Sequence, residues 1–284
     1  MNLFIACGIG DWFAITNKLT KEEINNTETI YWATRQEKLL RPLANIFFPK
    51  LKNHITLCDT FTESEDLNNN PNDIRLINRF CVHSMEDLVN RFPLKNLLPN
   101  EPILDLNLSR VAHEFKKGIR VYTPPNIYLV GNLSMLGGIE SDQYLNKKGL
   151  GGQEFVFIHP WSDNQRYQDR DFTEKDCEAV VSFCERKKIP GLVINKSKDM
   201  FPIKSEYIID GTNQTDLYTS LELVKHCKYF IGCSSSFSVF SAMVKDRSDI
   251  IIKASDGVRL SWNEFYYAPH KNTYFLNKNL EFLC

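Results

Sequence analysis

Residues 225–243, KHCKYFIGCSSSFSVFSAM, contain the pattern on which the interpretation of the whole sequence depends. An apolar run predicts a strand over residues 229–231, and apolar residues at helical spacing predict a helix over residues 235–244. Between them stand Ser234, Ser235 and Ser236. The first amides of a helix have no intrahelical acceptor and lie at the positive end of its dipole, so they bind anions such as a diphosphate. Serines also commonly do no more than cap a helix, and this stretch alone leaves both interpretations open.

Short apolar runs alternate with amphipathic segments on both sides of this stretch. The further strands that this pattern predicts are residues 2–7, 29–33, 54–58, 127–130, 155–158, 192–194, 207–209 and 249–253. The further helices are residues 35–48, 84–91, 173–186 and 216–226. Strands separated by helices favour parallel sheets with right-handed crossovers. We therefore expect an α/β protein with two Rossmann-like domains, whose ligands bind in a cleft at the carboxyl ends of the strands.

The predicted boundary between the two domains lies in residues 145–153. This stretch combines charged residues with three glycines, a composition typical of linkers. It divides the chain into two domains, residues 1–148 and residues 149–284.

Composition and charge exclude several classes of protein. The net charge of −1, from 34 Lys and Arg against 35 Asp and Glu, gives no global attraction to nucleic acid or membrane. The eight cysteines form no C-x-x-C pair, so zinc and redox motifs are unsupported and a reducing compartment is expected. The apolar run at the start of the sequence is too short for a signal peptide, and no apolar stretch reaches the ~20 residues that a bilayer requires. The sequence predicts a soluble cytoplasmic protein.

A second polar element follows the strand predicted at residues 155–158. The sequence IHPWSDNQRYQDRDFTEKD, residues 158–176, places Arg166 and Arg170 in a loop before a helix with a capping-box start. Arginine offers a planar fork that suits phosphate oxygens, although a solvated loop with surface ion pairs is an equally simple interpretation for Arg166. His159 is a candidate ligand contact or a structural histidine. After the next strand, Asn195 and Lys196 are weaker candidates for contact with a nucleoside.

The first 19 residues, MNLFIACGIGDWFAITNKL, end a strand in two glycines and an acid. Gly8 and Gly10 would allow a tight turn and the close approach of another molecule to the backbone. Asp11 would then lie at the start of a helix, where a carboxylate can accept a proton from an attacking hydroxyl. Alternatively, Asp11 is an N-terminal helix residue favoured by the dipole, which explains the acid but not both glycines.

Together these motifs resemble the ADP-heptose:lipopolysaccharide heptosyltransferase family, a GT-B group of glycosyltransferases. Residues 8–19, GIGDWFAITNKL, look like its G-x-G-D-x-x-x-x-x-P-x-L opening, with Asn17 in place of proline. Residues 158–176 are similar to its strand, polar loop and K-x-W-P-E helix start, with Arg170 in place of the lysine. Residues 210–242 resemble the stretch that leads into its G-x-D-T-G-x-x-H-x-x-A, with the three serines in place of D-T-G and Val239 in place of the histidine.

The resemblance implies a GT-B glycosyltransferase with two Rossmann-like domains, an acceptor-side domain over residues 1–148 and a nucleotide-sugar-binding domain over residues 149–284. Because the acid and the histidine of the family's D-T-G-x-x-H are replaced here, we expect a divergent member that uses a sugar other than heptose. Asp11 would be the catalytic base. The donor, a nucleotide-diphosphate sugar, would contact Gly8, Gly10, His159, Arg166, Arg170, Asn195, Lys196, Ser234, Ser235 and Ser236. No further cofactor is expected. No metal ion is expected either, although Asp169-Arg170-Asp171 matches the D-x-D pattern by which other transferases hold one.

Two other functions, and several acceptors, are compatible with the sequence. A protein of the same fold could bind a nucleotide sugar or glycan without catalysis, but such a protein would not need Asp11 and Arg170 at these motif positions. A nucleotide-sugar epimerase would need several acid–base residues around the sugar, of which only Asp11 can be named. The acceptor is open: a glycan, a lipid-linked molecule, another hydroxyl compound or a nucleic acid all satisfy the pattern.

Overall fold

Within the described part of the chain, the N-terminal sheet has four parallel strands in the order β3-β2-β1-β4. The computed structural model describes residues 1–34, 36–58, 85–86, 102–121, 133–137, 139–162, 169–196, 200–245, 250–254, 265–267, 274–276, 280 and 283. The strands are β1 (Asn2–Ile5), β2 (Thr29–Ala33), β3 (Asn53–Cys58) and β4 (Ile103–Asp105). The helices are α1 (Ile9–Thr16), α2 (Lys21–Asn26), α3 (Glu37–Phe47) and α4 (Leu108–Lys116).

Aromatic packing holds α1 and α3 with β2 in this first unit. The Trp12 ring of α1 lies 5.8 Å from the Trp32 ring of β2 and 6.3 Å from the Phe47 ring at the end of α3, measured between centroids. All three side chains are buried. Large rings remove much apolar area from water at a small cost in side-chain entropy, so they dominate the stability of a core of this size.

The C-terminal sheet consists of six parallel strands in the order β10-β9-β8-β5-β6-β7. Its strands are β5 (Val156–His159), β6 (Gly191–Val193), β7 (Ile208–Asp210), β8 (Tyr229–Cys233), β9 (Ile250–Lys253) and β10 (Tyr274–Leu276). The helices of this half are α5 (Ser134–Gly137), α6 (Ser141–Lys147), α7 (Glu174–Lys187), α8 (Leu217–His226) and α9 (Ser236–Val244).

Each sheet contains one position where the strand order reverses. In the first sheet β1 has β2 on one side and β4 on the other, and in the second β5 has β6 on one side and β8 on the other. The second sheet follows the whole classic Rossmann order. Ligands of open α/β sheets bind at such switch points, outside the carboxyl ends of the strands. The predicted α/β class with parallel sheets is confirmed.

The predicted helix starts at Thr173 and Asp216 are observed as caps. The Thr173 hydroxyl accepts the Asp176 amide at 3.3 Å, and the Asp176 carboxylate accepts the Thr173 amide at 2.8 Å, which is the capping box that the sequence predicted for α7. The Asp216 carboxylate accepts the Thr219 amide at 2.8 Å. These caps satisfy amides that a helix cannot satisfy itself, and so they determine where α7 and α8 begin.

The glycine-rich stretch at residues 145–153 ends helix α6. Gly149 has a positive φ of 73°, the Leu150 amide donates to the Leu145 carbonyl at 2.8 Å, and the Gly149 amide donates to the Asn146 carbonyl at 3.0 Å. This is a Schellman motif, in which glycine supplies the left-handed residue after the helix. Glycine at such a C-cap and glycine in a linker give the same composition, which is why the sequence predicted a linker here.

The chain divides between Val130 and Gly131, earlier than the predicted boundary between residues 148 and 149. Hydrogen bonds from the intervening residues to the second unit explain the position. The Leu133 amide donates to the buried Glu222 carboxylate at 3.0 Å, and the Lys148 ammonium donates to the Asp210 carbonyl at 2.7 Å. Helices α5 and α6 therefore belong to the second unit.

Several predictions concern residues outside those described. The predicted strand at 127–130 lies entirely outside them, and of the predicted helix at 84–91 only Met85 and Glu86 are described, both helical. Among the described residues, no helix combines the length and the apolar character that crossing a membrane requires.

Candidate functional site

At the switch point of the first sheet, the backbone amides at the start of α1 donate to side chains of the protein itself. The Asp11 carboxylate accepts the Gly8 amide at 3.2 Å, and the Gln36 side-chain carbonyl accepts the Ile9 amide at 2.7 Å. Thr34 holds this loop in place by donating to the Cys7 carbonyl at 2.7 Å. Asp11 therefore lies at the start of α1, as the sequence predicted, and takes part in capping it.

The closeness of a neighbouring side chain favours glycine at position 8. Its φ of −81° is open to any residue, so the expected tight turn does not explain it. A Cβ at this position would lie 3.3 Å from the Gln36 side-chain oxygen, closer than most such contacts allow. The two glycines suggested that another molecule comes close to the backbone here. At Gly8 it is the Gln36 side chain of the same protein that comes close.

A second carboxylate lies at the same edge and was not singled out in the sequence. Asp105 ends β4 and pairs in register with Phe4 of β1. Its carboxylate accepts the amides of Met85 at 2.9 Å and Asn107 at 3.1 Å. A strand of three half-buried residues has too little periodicity for sequence analysis, so this acid could only be found once β4 was placed beside β1.

At the switch point of the second sheet, the His159 side chain is buried. It ends β5 with 6% of its surface exposed, and its Nδ1 lies 2.9 Å from the Ile194 carbonyl. A carbonyl can only accept, so Nδ1 carries the proton. The ring also meets the edge of Phe237 with 4.8 Å between centroids. The predicted contact between His159 and a ligand stays a prediction.

Arg170 lies in the loop after β5 and is held by Ser162. The guanidinium donates to the Ser162 hydroxyl, while the Ser162 amide donates to the Asp171 carboxylate at 3.1 Å. Burial raises the pKa of Asp171, an effect that the hydrogen bond from Ser162 and the charges of Arg170 and Lys253 partly offset. Asp169 is exposed. Arg166, the other predicted arginine, lies outside the described residues.

The three serines surround the start of α9. The Ser234 hydroxyl lies 2.9 Å from the Tyr267 hydroxyl, and the Ser235 amide donates to the Ser238 hydroxyl at 2.8 Å. The Ser235 hydroxyl oxygen is buried and has no hydrogen-bond partner within the described residues. Burying a polar atom without a partner costs free energy, so the Ser235 hydroxyl could bond to an oxygen atom of a ligand at the start of α9.

The charge of Arg170 acts on groups directly beside these serines. Burial raises the pKa of the Cys233 thiol, and the positive charge of Arg170 opposes that rise. Burial likewise raises the pKa of Tyr267, against the hydrogen bonds from Ser234 and Ser238 and the charge of Arg170. Arg170 and the serine helix start, which the sequence assigned to one diphosphate site, therefore lie at the same edge of the sheet.

Asn195 and Lys196 follow β6, the strand beside β5 on the other side of the switch point. Asn195 is 4% exposed, and its side-chain nitrogen has no partner within the part of the chain described. Its backbone carbonyl accepts the Asn213 amide at 2.7 Å. Lys196 is exposed. No group of three or more His, Cys, Asp or Glu side chains in the described residues is arranged to hold a metal ion.

Comparison with known proteins supports the fold by structure alone. No family model matches the chain, and neither does any curated protein. The solved structure of Escherichia coli ADP-heptose LPS heptosyltransferase II is similar with a TM-score of 0.56 and 10% identity, over 97% of this chain and 89% of that one. A glycosyl transferase family 9 structure from Veillonella parvula has a TM-score of 0.51 and 10% identity, over 98% of this chain and 85% of that one. The chain therefore has the GT-B-like α/β fold of the heptosyltransferases, as its sequence motifs predicted.

Proposed function

We propose that this protein is a glycosyltransferase that moves a sugar from a nucleotide-diphosphate donor to an acceptor hydroxyl. The observation that carries the proposal is the switch point of the second sheet, where β5 and β8 bring Arg170 and the serine helix start to one edge. Backbone amides at a helix start and an arginine fork are the groups that proteins use to bind phosphate oxygens.

The leaving diphosphate is stabilised at this edge. When the acceptor oxygen forms its bond to the anomeric carbon, the bond from that carbon to the diphosphate breaks and negative charge develops on the leaving oxygen. Before the reaction, the Ser162 hydroxyl holds Arg170, and the Ser238 hydroxyl fixes the start of α9 by accepting the amide of its N-cap, Ser235. Charges and dipoles held in this way stabilise developing charge without reorganisation.

Asp11 accepts the proton of the acceptor hydroxyl in this mechanism. It lies at the switch point of the first sheet, and one oxygen of its carboxylate accepts the Gly8 amide. That bond orients the carboxylate, and an ionised carboxylate can accept further hydrogen bonds at its two oxygens. A positioned base of this kind contributes about 10²–10⁴-fold to the rate.

No metal ion takes part in the proposed transfer. Within the D-x-D pattern, the Asp171 carboxylate accepts the Ser162 amide at 3.1 Å, in the loop that holds Arg170. The positive charge that a cation would supply to the diphosphate is supplied by Arg170 and the helix start. Activity that persists in excess EDTA is expected. Activity that EDTA abolishes, that Mg²⁺ or Mn²⁺ restores and that Asp169→Ala also abolishes would replace this account with a metal-dependent one.

The donor and acceptor are proposed by chemical class. The Escherichia coli neighbour is named for ADP-heptose and lipopolysaccharide. For this chain we propose a nucleotide sugar as donor and a glycan, a lipid-linked molecule or another hydroxyl compound as acceptor, with nucleic acid as a further class to test. The cytoplasm is the proposed compartment, supported by five described cysteines that are buried and form no disulfide.

A binding protein without catalysis is the second candidate, and one observation favours it. The Asp11 carboxylate already has a structural partner in the Gly8 amide, 3.2 Å away, so the acid is explained without a reaction. On this account the second unit would bind the nucleotide sugar, and no product would form.

A two-step experiment tests the proposal. A panel of nucleotide sugars and nucleoside diphosphates is first screened for compounds that raise the melting temperature, because a ligand that binds only the folded protein stabilises it. The donors found are then incubated with candidate acceptors, and products are detected by mass spectrometry. Transfer supports the enzyme, binding of an intact donor with no transfer to any acceptor supports the binding protein, and a panel without any stabilising compound contradicts both.

A further inference from the structure

Lys253 occupies an unusual place at the end of β9. Three isoleucines precede it in a strand whose four residues are all buried, and its own side chain has 2% of its surface exposed. Its ammonium lies 2.7 Å from the carboxylate of Asp176, which is fully buried. Removing two charges from water costs several kcal/mol for each ion, so an apolar pair at these positions would often be at least as stable. Stability alone therefore gives no reason for this pair.

The helix cap at Asp176 does not require the lysine either. Asp176 already accepts the Thr173 amide at 2.8 Å, the Thr173 hydroxyl at 2.7 Å and the Leu280 amide at 2.7 Å. Burial raises the pKa of Asp176, but the hydrogen bonds from Lys253, Thr173 and Leu280 together lower it below its usual value, and the bond from Lys253 has the largest lowering effect. A carboxylate with three such donors caps α7 without a cation.

What Lys253 adds is a bond to the loop of Arg170. Its ammonium donates to the Asp171 backbone carbonyl at 2.7 Å, at the residue next to Arg170. The backbone carbonyl of Lys253 itself accepts the Ser234 amide at 2.9 Å. One buried residue thus bonds both to the loop that carries Arg170 and to the first of the three serines.

We propose that Lys253, with Asp176 as its partner, is a positioning residue that holds Arg170 in register with the serine helix start for binding of the donor diphosphate. This inference rests on the proposed donor site. Lys253 is buried and its ammonium donates to two protein oxygens, the Asp171 carbonyl and the Asp176 carboxylate, so it acts through Arg170 rather than by touching the nucleotide. Lysine fits the position because a single ammonium can donate to a carboxylate and a carbonyl in different directions.

The test measures affinity for the nucleoside diphosphate that binds the wild-type protein best. Lys253→Met alone would leave Asp176 buried with its charge, so Lys253→Met/Asp176→Asn is the main variant, since it removes both charges. Lys225→Met is the matched control: it removes a lysine that donates to the buried Glu222 at 3.0 Å in the same unit. Melting temperature and circular dichroism establish that each variant is folded.

We expect the Lys253→Met/Asp176→Asn variant to bind the nucleoside diphosphate about ten- to a hundredfold more weakly, as if the charge-assisted bond of Arg170 were lost. Lys225→Met should keep the wild-type affinity. The decisive measurement adds Arg170→Ala to the double variant. If Lys253 acts through Arg170, the third substitution weakens binding little further, because a shared effect cannot be lost twice.

Four results would overturn the inference, and they are distinguishable. Wild-type affinity in the folded double variant, or an Arg170→Ala effect that simply adds to it, contradicts the positioning role while leaving the donor site intact. A loss of affinity in Lys225→Met equal to that in the double variant would show a general effect of stability. If no nucleoside diphosphate binds the wild-type protein, the proposed donor site fails and this inference fails with it.

Discussion

The two sheets share one topology at their switch points, yet different side chains occupy the two edges. At β1 and β4, the start of α1 is closed by the protein itself, because Asp11 and Gln36 accept its first amides. At β5 and β8, the start of α9 is bordered by serine hydroxyls, and a cation, Arg170, lies at the same edge. A helix start that already faces a carboxylate repels phosphate, whereas one with hydroxyls and a guanidinium attracts it. Topology determines where a ligand can bind, and the first side chains after each strand determine its charge.

The largest expected effect concerns Asp11. Asp11→Asn keeps an oxygen that can accept the Gly8 amide but removes the base, so kcat should fall about 10²–10⁴-fold with donor affinity unchanged. Steady-state kinetics and calorimetry with the identified donor measure the two quantities separately. Asp105→Asn, at the neighbouring strand end, is the comparison variant and should retain most of the activity. Near-normal turnover in Asp11→Asn would show that Asp11, at the edge of the first sheet, is not the catalytic base.

The next effect concerns Arg170. Arg170→Ala should weaken binding of the nucleoside diphosphate by about 1.5–3 kcal/mol, the range for a charge-assisted hydrogen bond. Lys175→Ala, which removes an exposed cation from the first turn of α7, serves as the control and should have little effect. Isothermal titration calorimetry at one ionic strength compares the two. Equal affinity in Arg170→Ala and the wild type would show that the second edge does not bind the diphosphate through this arginine.

A third prediction concerns pH and a buried lysine of the first unit. Lys18 is 1% exposed, its ammonium donates to the Ala14 carbonyl at 3.0 Å, and burial lowers its pKa to about 7. The folded protein releases this proton near pH 7, while the unfolded chain keeps it to about 10.5, the usual value for lysine. Because the unfolded state binds more protons between these values, stability should rise with pH there by up to about 1.4 kcal/mol per unit.

Denaturant unfolding between pH 7.5 and 9.5 measures this dependence. The difference between the wild type and Lys18→Met isolates the contribution of Lys18, since methionine has a similar length and no charge. The wild type should gain stability relative to the variant as the pH rises. Parallel pH profiles for the two proteins would show that Lys18 keeps its ordinary pKa.

The smallest expected effect concerns Gln36, at the edge that is closed. Gln36→Ala removes the acceptor of the Ile9 amide and should lower the free energy of unfolding by about 1 kcal/mol, since Gln36 is only half-buried and water can partly replace it. Nucleoside diphosphate affinity should stay at the wild-type value. A change in that affinity would mean that the first helix start contributes to donor binding, and the contrast between the edges would weaken.

The sequence predicted those parts of the fold that local signals determine. Thr173 and Asp176 form the capping box from which the start of α7 was predicted. Ser235 is the N-cap of α9, two residues after a buried strand, so both helices start where they were expected. The same locality places Asp11 at a helix start and Arg170 in the loop after β5. Each of these features is decided within a few residues of chain.

Features that depend on distant residues could not be predicted. Gln36 caps an amide 27 positions earlier, and Lys253 bonds to a carboxylate 77 positions earlier. Nothing in the local sequence indicates which strand ends become neighbours, because that follows from the order of strands in the finished sheet. At Gly149 the local sequence was ambiguous, because glycine is common both after the end of a helix and in linkers. Only the burial of Leu150 in the structure distinguishes the two.

The hydrogen bonds between residues 133–148 and the elements α8 and β7 determine where the second unit could be exchanged between proteins of this fold. A chimera joined at residue 149 would leave the buried Glu222 carboxylate without the Leu133 amide and would uncover the surface of α8 that α5 and α6 protect. A junction at residues 130 and 131 keeps these partners on one side of the cut. Recombination at that point would transfer the second unit together with the residues that its buried groups bond to.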